Sequence, residues 1–148
     1  TLKPQHTQML ERILSNGKTL LALINDILDL SKMEAGRLEL RLERCNLKTV
    51  ISDTVEELRS LADEKQITLT FQCELNHPWV TNDSNRIRQV IINLLSNAIK
   101  FTEEGSVTVI ARELPENWIK IMVQDTGIGM TEEEKDQIFE AFRQVDQT

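Results

Sequence analysis

Asn93, Asn97 and Lys100 recur at steps of four and three within an apolar-patterned stretch that Asp83 or Ser84 can cap. A helix turns about 100° per residue, so Arg86, Gln89, Asn93, Asn97 and Lys100 fall within roughly 80° of one another and share a face. Carboxamide oxygens are hard neutral donors that can complete the octahedral shell of Mg²⁺ while water and nucleotide phosphates supply the rest. A lysine one turn further on offsets phosphate charge. A solvated helix surface carries the same residue types, so this face alone leaves both readings open. Two asparagines inside a helix run against its intrinsic propensity, which tilts the balance toward function. The apolar positions Ile87, Val90, Ile91, Leu94, Ala98 and Phe101 centre roughly 120° from Asn93, which predicts amides on the flank of the buried stripe beside a half-open cleft.

The second chemical feature is Asp125-Thr-Gly-Ile-Gly-Met130, which breaks a strand-like alternation. An acceptor-only carboxylate at a strand end can receive a hydrogen bond from an exocyclic amine, and glycines let a flat base approach the backbone. Adenine meets both demands. Two glycines after a strand equally mark a plain turn, so this loop is also ambiguous by itself.

The elements that must hold these residues follow from periodicity. Leu10, Ile13, Gly17, Leu20, Ile24, Ile27 and Ser31 alternate steps of three and four, and Leu14, Leu21 and Leu28 flank that seam. This predicts one long helix with the wide apolar stripe of a bundle member, ended by Gly36. A domain boundary is expected there, dividing residues 1–36 from 37–148. Leu38, Leu40 and Leu42 alternate with charged residues and predict a half-buried strand. Asn46 can cap a helix with Leu47, Val50, Ile51, Val55, Leu58, Leu61 and Ala62 on one face. Ile67 to Glu74 predicts a strand, Asn76-His77-Pro78 a turn, and Trp79-Val80 a short return strand. Val107, Val109 and Ala111, then Ile119, Ile121 and Val123, predict a hairpin around Pro115-Glu116-Asn117. Thr131 and Glu134 form a capping box opening a last helix with Ile138, Phe139 and Phe142. The order predicts an α/β two-layer sandwich, helices on one mixed sheet, preceded by the bundle-forming helix.

Composition narrows the classes. The 148 residues are 40% hydrophobic and 28% charged, the balance of a folded domain. A net charge of -7 with scattered Lys and Arg argues against nucleic acid as a partner. Leu20 to Leu30 is interrupted by Asn25, Asp26 and Asp29, so no membrane contact is expected of this chain. Cys45 and Cys73 form no CxxC pair and suit a reducing, cytoplasmic setting as buried thiols. The opening at Thr1 is neither a signal peptide nor an initiator Met, which suggests an excised piece of a longer protein, possible anchor included.

Taken together, Asn93-Leu-Leu-Ser-Asn97-Ala-Ile-Lys100-Phe101-Thr102, Asp125-Thr-Gly-Ile-Gly129 and Ile138-Phe139-Glu-Ala-Phe142 resemble the N, G1 and F boxes of sensor histidine kinases. Ala22-Leu-Ile-Asn-Asp-Ile-Leu-Asp-Leu-Ser-Lys-Met-Glu-Ala-Gly36 resembles the second helix and exit of their dimerisation hairpin. The resemblance implies the Bergerat ATP-binding fold for residues 37–148, with ATP and Mg²⁺ as cofactors, a homodimer through the N-terminal helix, and a response regulator as partner. By the same resemblance Asn97 ligates Mg²⁺, Asn93 meets the metal shell or a phosphate, Lys100 the phosphates, and Asp125 the adenine amine. Gly127 and Gly129 shape the nucleotide loop, Phe101 and Ile128 line the base pocket, and Phe139 and Phe142 anchor the lid. Hydrolytic members of the wider superfamily carry Glu where this chain has Asn93, and an amide cannot take a proton from water. Phosphoryl transfer to a protein group is therefore expected over hydrolysis, with a non-catalytic dimerising module as the alternative.

Two family features have no counterpart. His6 and His77 both lack the acidic residue next in sequence and the proline four positions beyond it that mark the phosphoacceptor in the family, His77 being followed directly by Pro78, so no catalytic residue is expected in this chain. The glycine-rich loop that binds the triphosphate should follow Thr148, so the domain is expected to be incomplete at its C-terminus and to bind nucleotide weakly or not at all.

Overall fold

Pro4, with its fixed φ and no N–H to leave unpaired, opens a 31-residue helix in the computed structural model, which describes residues 1–140. This helix, α1 (Pro4–Glu34), buries none of its residues within the chain. Leu10, Ile13, Leu14, Leu20, Leu21, Ile24, Ile27 and Leu28 are all exposed. Its end is a Schellman closure: Gly36 at φ +65° donates to Met33 O, and Arg37 N–H to Lys32 O. Only glycine takes that left-handed position cheaply, which is why the helix stops where the sequence predicts.

The chain divides into two compact units, Thr1–Leu40 and Arg41 onward. The second unit begins with β1 (Glu43–Asn46), α2 (Leu47–Glu57) and α3 (Arg59–Glu64). The strand expected over Leu38 to Leu42 is not there: Leu40 and Leu42 are exposed, and pairing starts at Glu43. Alternation of Leu with charge, without β-branched residues, is a weak strand signal that any extended linker can carry. Asn46 caps α2 as expected, its Oδ1 accepting from Thr49 N–H at 3.2 Å. The single helix expected from Leu47 to Ala62 instead breaks at Leu58, and Leu61 turns to solvent.

β2 (Thr68–Glu74) pairs in parallel with β4 (Ser106–Leu114), and β4 pairs antiparallel with β5 (Trp118–Asp125). The β4–β5 hairpin turns over Pro115–Asn117, as predicted. β3 (Trp79–Asn82) does not return along β2; it pairs antiparallel with β1 in a separate two-stranded sheet. The one mixed sheet expected is therefore two. A parallel pair needs a crossover, and α4 (Ser84–Phe101) lies within that connection between β2 and β4.

One face of the three-stranded sheet carries Leu69, Val107, Val109 and Ala111, all buried. Against them lie Leu47, Ile51 and Val55 from α2, Leu58 at the break, Ala62 from α3, and Ile91, Leu95, Ala98 and Ile99 from α4. The result is the two-layer helix-on-sheet architecture. Arg88 Nη2 grips both carboxylate oxygens of Glu57 at 2.6 Å, tying α4 to α2 at the surface. The opposite sheet face is mixed: Thr70 Oγ1 meets Thr108 Oγ1 at 3.1 Å and Arg112 pairs with Glu74, beside the cross-strand apolar pairs Ile110–Met122 and Leu114–Trp118.

α5 (Glu132–Gln137) has the predicted reciprocal capping box, Thr131 Oγ1 accepting from Glu134 N–H and Glu134 Oε2 from Thr131 N–H. It ends before Ile138, so Phe139 follows the helix rather than belonging to it. Phe142 lies outside the described residues.

Candidate functional site

α4 is fixed at its start by Asp83, a buried carboxylate that accepts from Arg86 N–H at 3.1 Å and Arg41 N–H at 3.0 Å. The first bond caps the helix; the second fastens the beginning of the second unit to it. The Arg41 N–H, then that of Arg86, holds the carboxyl below its ordinary range.

The face of α4 differs from the predicted one. Val90 and Leu94 are exposed, while Leu95 and Ile99 take the core positions. The buried set centres roughly 175° from Asn93 by helical geometry, so the amides point away from the core instead of along its flank. The reason is that apolar residues cover most of this helix's circumference, and periodicity alone cannot say which side the sheet takes. Asn93 and Asn97 are exposed, and neither side chain makes a hydrogen bond with a described residue. Arg86 Nη1 donates to Gln89 Oε1 at 2.9 Å on the same helix. Lys100 Nζ lies 5.2 Å from the centroid of the Phe101 ring, a cation–π contact at the helix end.

Strand pairing delivers the second half. In β5 the residues Ile119, Ile121 and Val123 alternate onto the helix-covered face, and Asp125 is the next in that row, opposite buried Val107. The carboxylate therefore stands at the end of the core row, on the side where α4 lies. Its Oδ1 accepts from Gly127 N–H at 2.8 Å. Thr126 is held to Ser106, donating its N–H to Ser106 O and accepting from Ser106 N–H at Oγ1. Ile128 N–H then reaches Phe101 O at 3.4 Å.

Gly127 is required by proximity: a Cβ there would sit 2.5 Å from Phe101 O and 2.8 Å from Asp125 Oδ1. The loop and the end of α4 thus meet backbone to backbone. Gly129, at φ +73°, faces open space. Phe101 is half-buried, whereas the Ile128 side chain is 74% exposed and Phe139 is 91% exposed. The structure brings Lys100, Phe101, Asp125 and Gly127 to one end of the sheet and leaves Ile128 and Phe139 in solvent.

Three features lie beyond what the sequence alone indicates. Thr102 is fully buried with an Oγ1 that has no hydrogen-bond partner among the described residues, the kind of orphaned hydroxyl that a ligand or ordered water satisfies. The contact of Asp83 with Arg41 and a contact of Lys65 with the end of α4 span long sequence separations, and no local pattern announces them.

Residues 1–36 match the His Kinase A (phospho-acceptor) domain family, and residues 82–148 match the histidine kinase-, DNA gyrase B- and HSP90-like ATPase family. The cell-division control histidine kinase PdhS of Brucella anthropi is 36% identical over 142 residues, which cover 95% of this chain and 14% of that protein. The same-named kinase of Brucella canis is 35% identical over the same length. The chain thus spans about one seventh of these curated relatives. Among solved structures, full-length ShkA in complex with AMPPNP superposes with a TM-score of 0.84 at 30% identity, covering 97% of this chain and 31% of ShkA. The Acinetobacter baumannii histidine kinase AdeS gives 0.76 at 28% identity, covering 94% of this chain and 68% of AdeS. Two matching family segments in the order of a kinase core, and that core's fold, place the chain among the sensor histidine kinases of the Bergerat ATPase superfamily.

Proposed function

We propose that this chain is the core of a two-component sensor kinase, with residues 1–36 as the second helix of the dimerisation hairpin and residues 37–148 as the ATP-binding domain. The carrying observation is the backbone contact of Gly127 and Ile128 with Phe101, which sets the Asp125 loop against the end of the two-asparagine helix. Asp125 keeps Oδ2 available for the adenine amine while Oδ1 is committed to Gly127. Phe101 supplies an apolar ring at the same end, and Lys100, lying over that ring, supplies a cation for a phosphate. Asn93 and Asn97, outward-facing and unpartnered, fit a metal shell that needs neutral oxygen donors. Bound Mg²⁺ would neutralise phosphate charge during transfer. Asn93 offers no base to activate water, so the reading is transfer of the γ-phosphoryl group to a histidine outside this chain, for relay to a response regulator. The exposed seam of α1 supports a homodimer, because a helix that buries nothing alone needs a partner for its apolar stripe.

The test is fluorescent ATP-analogue binding and autophosphorylation in the full-length protein carrying this sequence, comparing wild type with Asn97→Ala and Asp125→Ala. Both substitutions should abolish autophosphorylation, and Asp125→Ala should also weaken binding by about tenfold or more, as expected for a lost hydrogen bond to a charged acceptor. Wild-type behaviour in both variants would remove the nucleotide site from this end of the fold.

A further inference from the structure

Lys65 follows α3, and its Nζ donates to the carbonyl oxygens of Ile99 at 2.7 Å and Lys100 at 3.0 Å. An α-helix leaves its last four carbonyls without intrahelical partners. In α4 these belong to Ala98, Ile99, Lys100 and Phe101. Lys65 takes two of them, and Phe101 O accepts from Ile128 N–H of the Asp125–Gly129 loop. The final turn of α4 is thereby held from one side by Lys65 and from the other by the loop.

The charge of Lys65 matters as much as its reach. The C-terminal end of a helix carries roughly half a negative charge, and here that end adjoins Lys100, the proposed phosphate contact. A polyanionic ligand meets repulsion from bare carbonyls in such a place. Among the described residues no carboxylate pairs with Lys65, so its ammonium is committed to the helix end. The break at Leu58 contributes, since it starts α3 as a separate short helix whose last residue is followed by Lys65.

We infer that Lys65 is a positioning residue for the nucleotide: it fixes the last turn of α4, which carries Lys100 and Phe101, and offsets the negative helix end beside the phosphates. The inference rests on the nucleotide-site reading above. It assigns Lys65 no contact with the ligand.

The experiment titrates the full-length protein with a fluorescent ATP analogue and, by competition, with adenosine. Variants are Lys65→Met, Lys65→Gln and Lys65→Arg, with Asn97→Ala and Asp125→Ala as site controls, each below its melting temperature as followed by circular dichroism. Lys65→Met should raise the Kd for the triphosphate about fivefold, the size of a partly buried charge–helix-end interaction, and raise that for adenosine by less. Lys65→Gln, which can still donate but has no charge, should show the same bias toward the triphosphate, whereas Lys65→Arg should stay within about twofold of wild type. Unchanged triphosphate affinity in folded Lys65→Met and Lys65→Gln, with Asp125→Ala weakened, overturns the inference. Equal losses for adenosine and triphosphate overturn it too, since they reduce Lys65 to an ordinary helix cap. If Asn97→Ala and Asp125→Ala both bind as wild type, the site reading itself fails and takes the role of Lys65 with it.

Discussion

Gly127→Ala probes the seam between the loop and the helix directly. The new methyl would lie 2.5 Å from Phe101 O and 2.8 Å from Asp125 Oδ1. Carbon–oxygen contacts settle near about 3.3 Å, so the loop must retreat by roughly 0.8 Å. The Ile128 N–H bond to Phe101 O already stands at 3.4 Å and does not survive that movement. The 2.8 Å bond from Gly127 N–H to Asp125 Oδ1 lengthens with it. Two exposed hydrogen bonds at about 0.5–1.5 kcal/mol each give a loss of about 1–3 kcal/mol. A loop at the surface relaxes more readily than a core, so global stability should fall near the lower figure, a Tm drop of about 4–8 °C. Nucleotide affinity should fall more, about tenfold, because displacement moves Asp125 and Phe101 apart. Gly129→Ala is the internal control: its φ of +73° costs a methyl about 1 kcal/mol of backbone strain, but it meets open space. Urea unfolding followed by circular dichroism and fluorescent-nucleotide titration measure the two effects. Wild-type stability and affinity in Gly127→Ala, or a larger affinity loss in Gly129→Ala, would refute the packing argument.

Two further outcomes test the elements beneath the site. Asn46→Ala removes the acceptor for Thr49 N–H and should lower unfolding free energy by about 1 kcal/mol in urea titrations. Asp83→Asn keeps a capping oxygen but removes the charge that Arg41 and Arg86 N–H groups favour. Because the folded carboxyl titrates below its ordinary value, the unfolded chain binds the proton first as pH falls. The extra stability of wild type over Asp83→Asn should therefore be complete at neutral pH and shrink as acid passes the ordinary carboxylate range and then the lowered one. A gap that stays constant between pH 7 and about pH 2 in urea titrations would refute this role.

What could be read ahead of the structure was what is encoded locally. Gly36 stops its helix, Asn46, Asp83 and Thr131 cap theirs, and Pro115–Asn117 turns the hairpin, because each depends on neighbours a few residues away. The roles proposed for Asn97 and Asp125 start from the same kind of local signal, since carboxamides at helical spacing and a strand-end carboxylate are short patterns. Partnership over distance was not. β3 finds β1 instead of β2, a choice between two antiparallel mates that alternation cannot express. Val90 and Leu94 look as buriable as Leu95 and Ile99, and only the sheet's position decides between them. Lys65 meets α4 from 34 residues away in sequence and resembles any solvated lysine beforehand.

The register of β4 against β5 carries a consequence for sequence change. Val107 faces Asp125 in the same ladder that pairs Val109 with Val123 and Ala111 with Ile121. Side chains alternate with a period of two, so inserting or deleting one residue within either strand would turn the apolar row to solvent and carry Asp125 to the wrong side. The core thus polices the position of the carboxylate: an indel that moves the proposed adenine contact also disrupts the core of the domain that would display it. The Pro115–Asn117 turn lies at the opposite end of the hairpin from Asp125, so residues added there would leave both ladder and carboxylate in place.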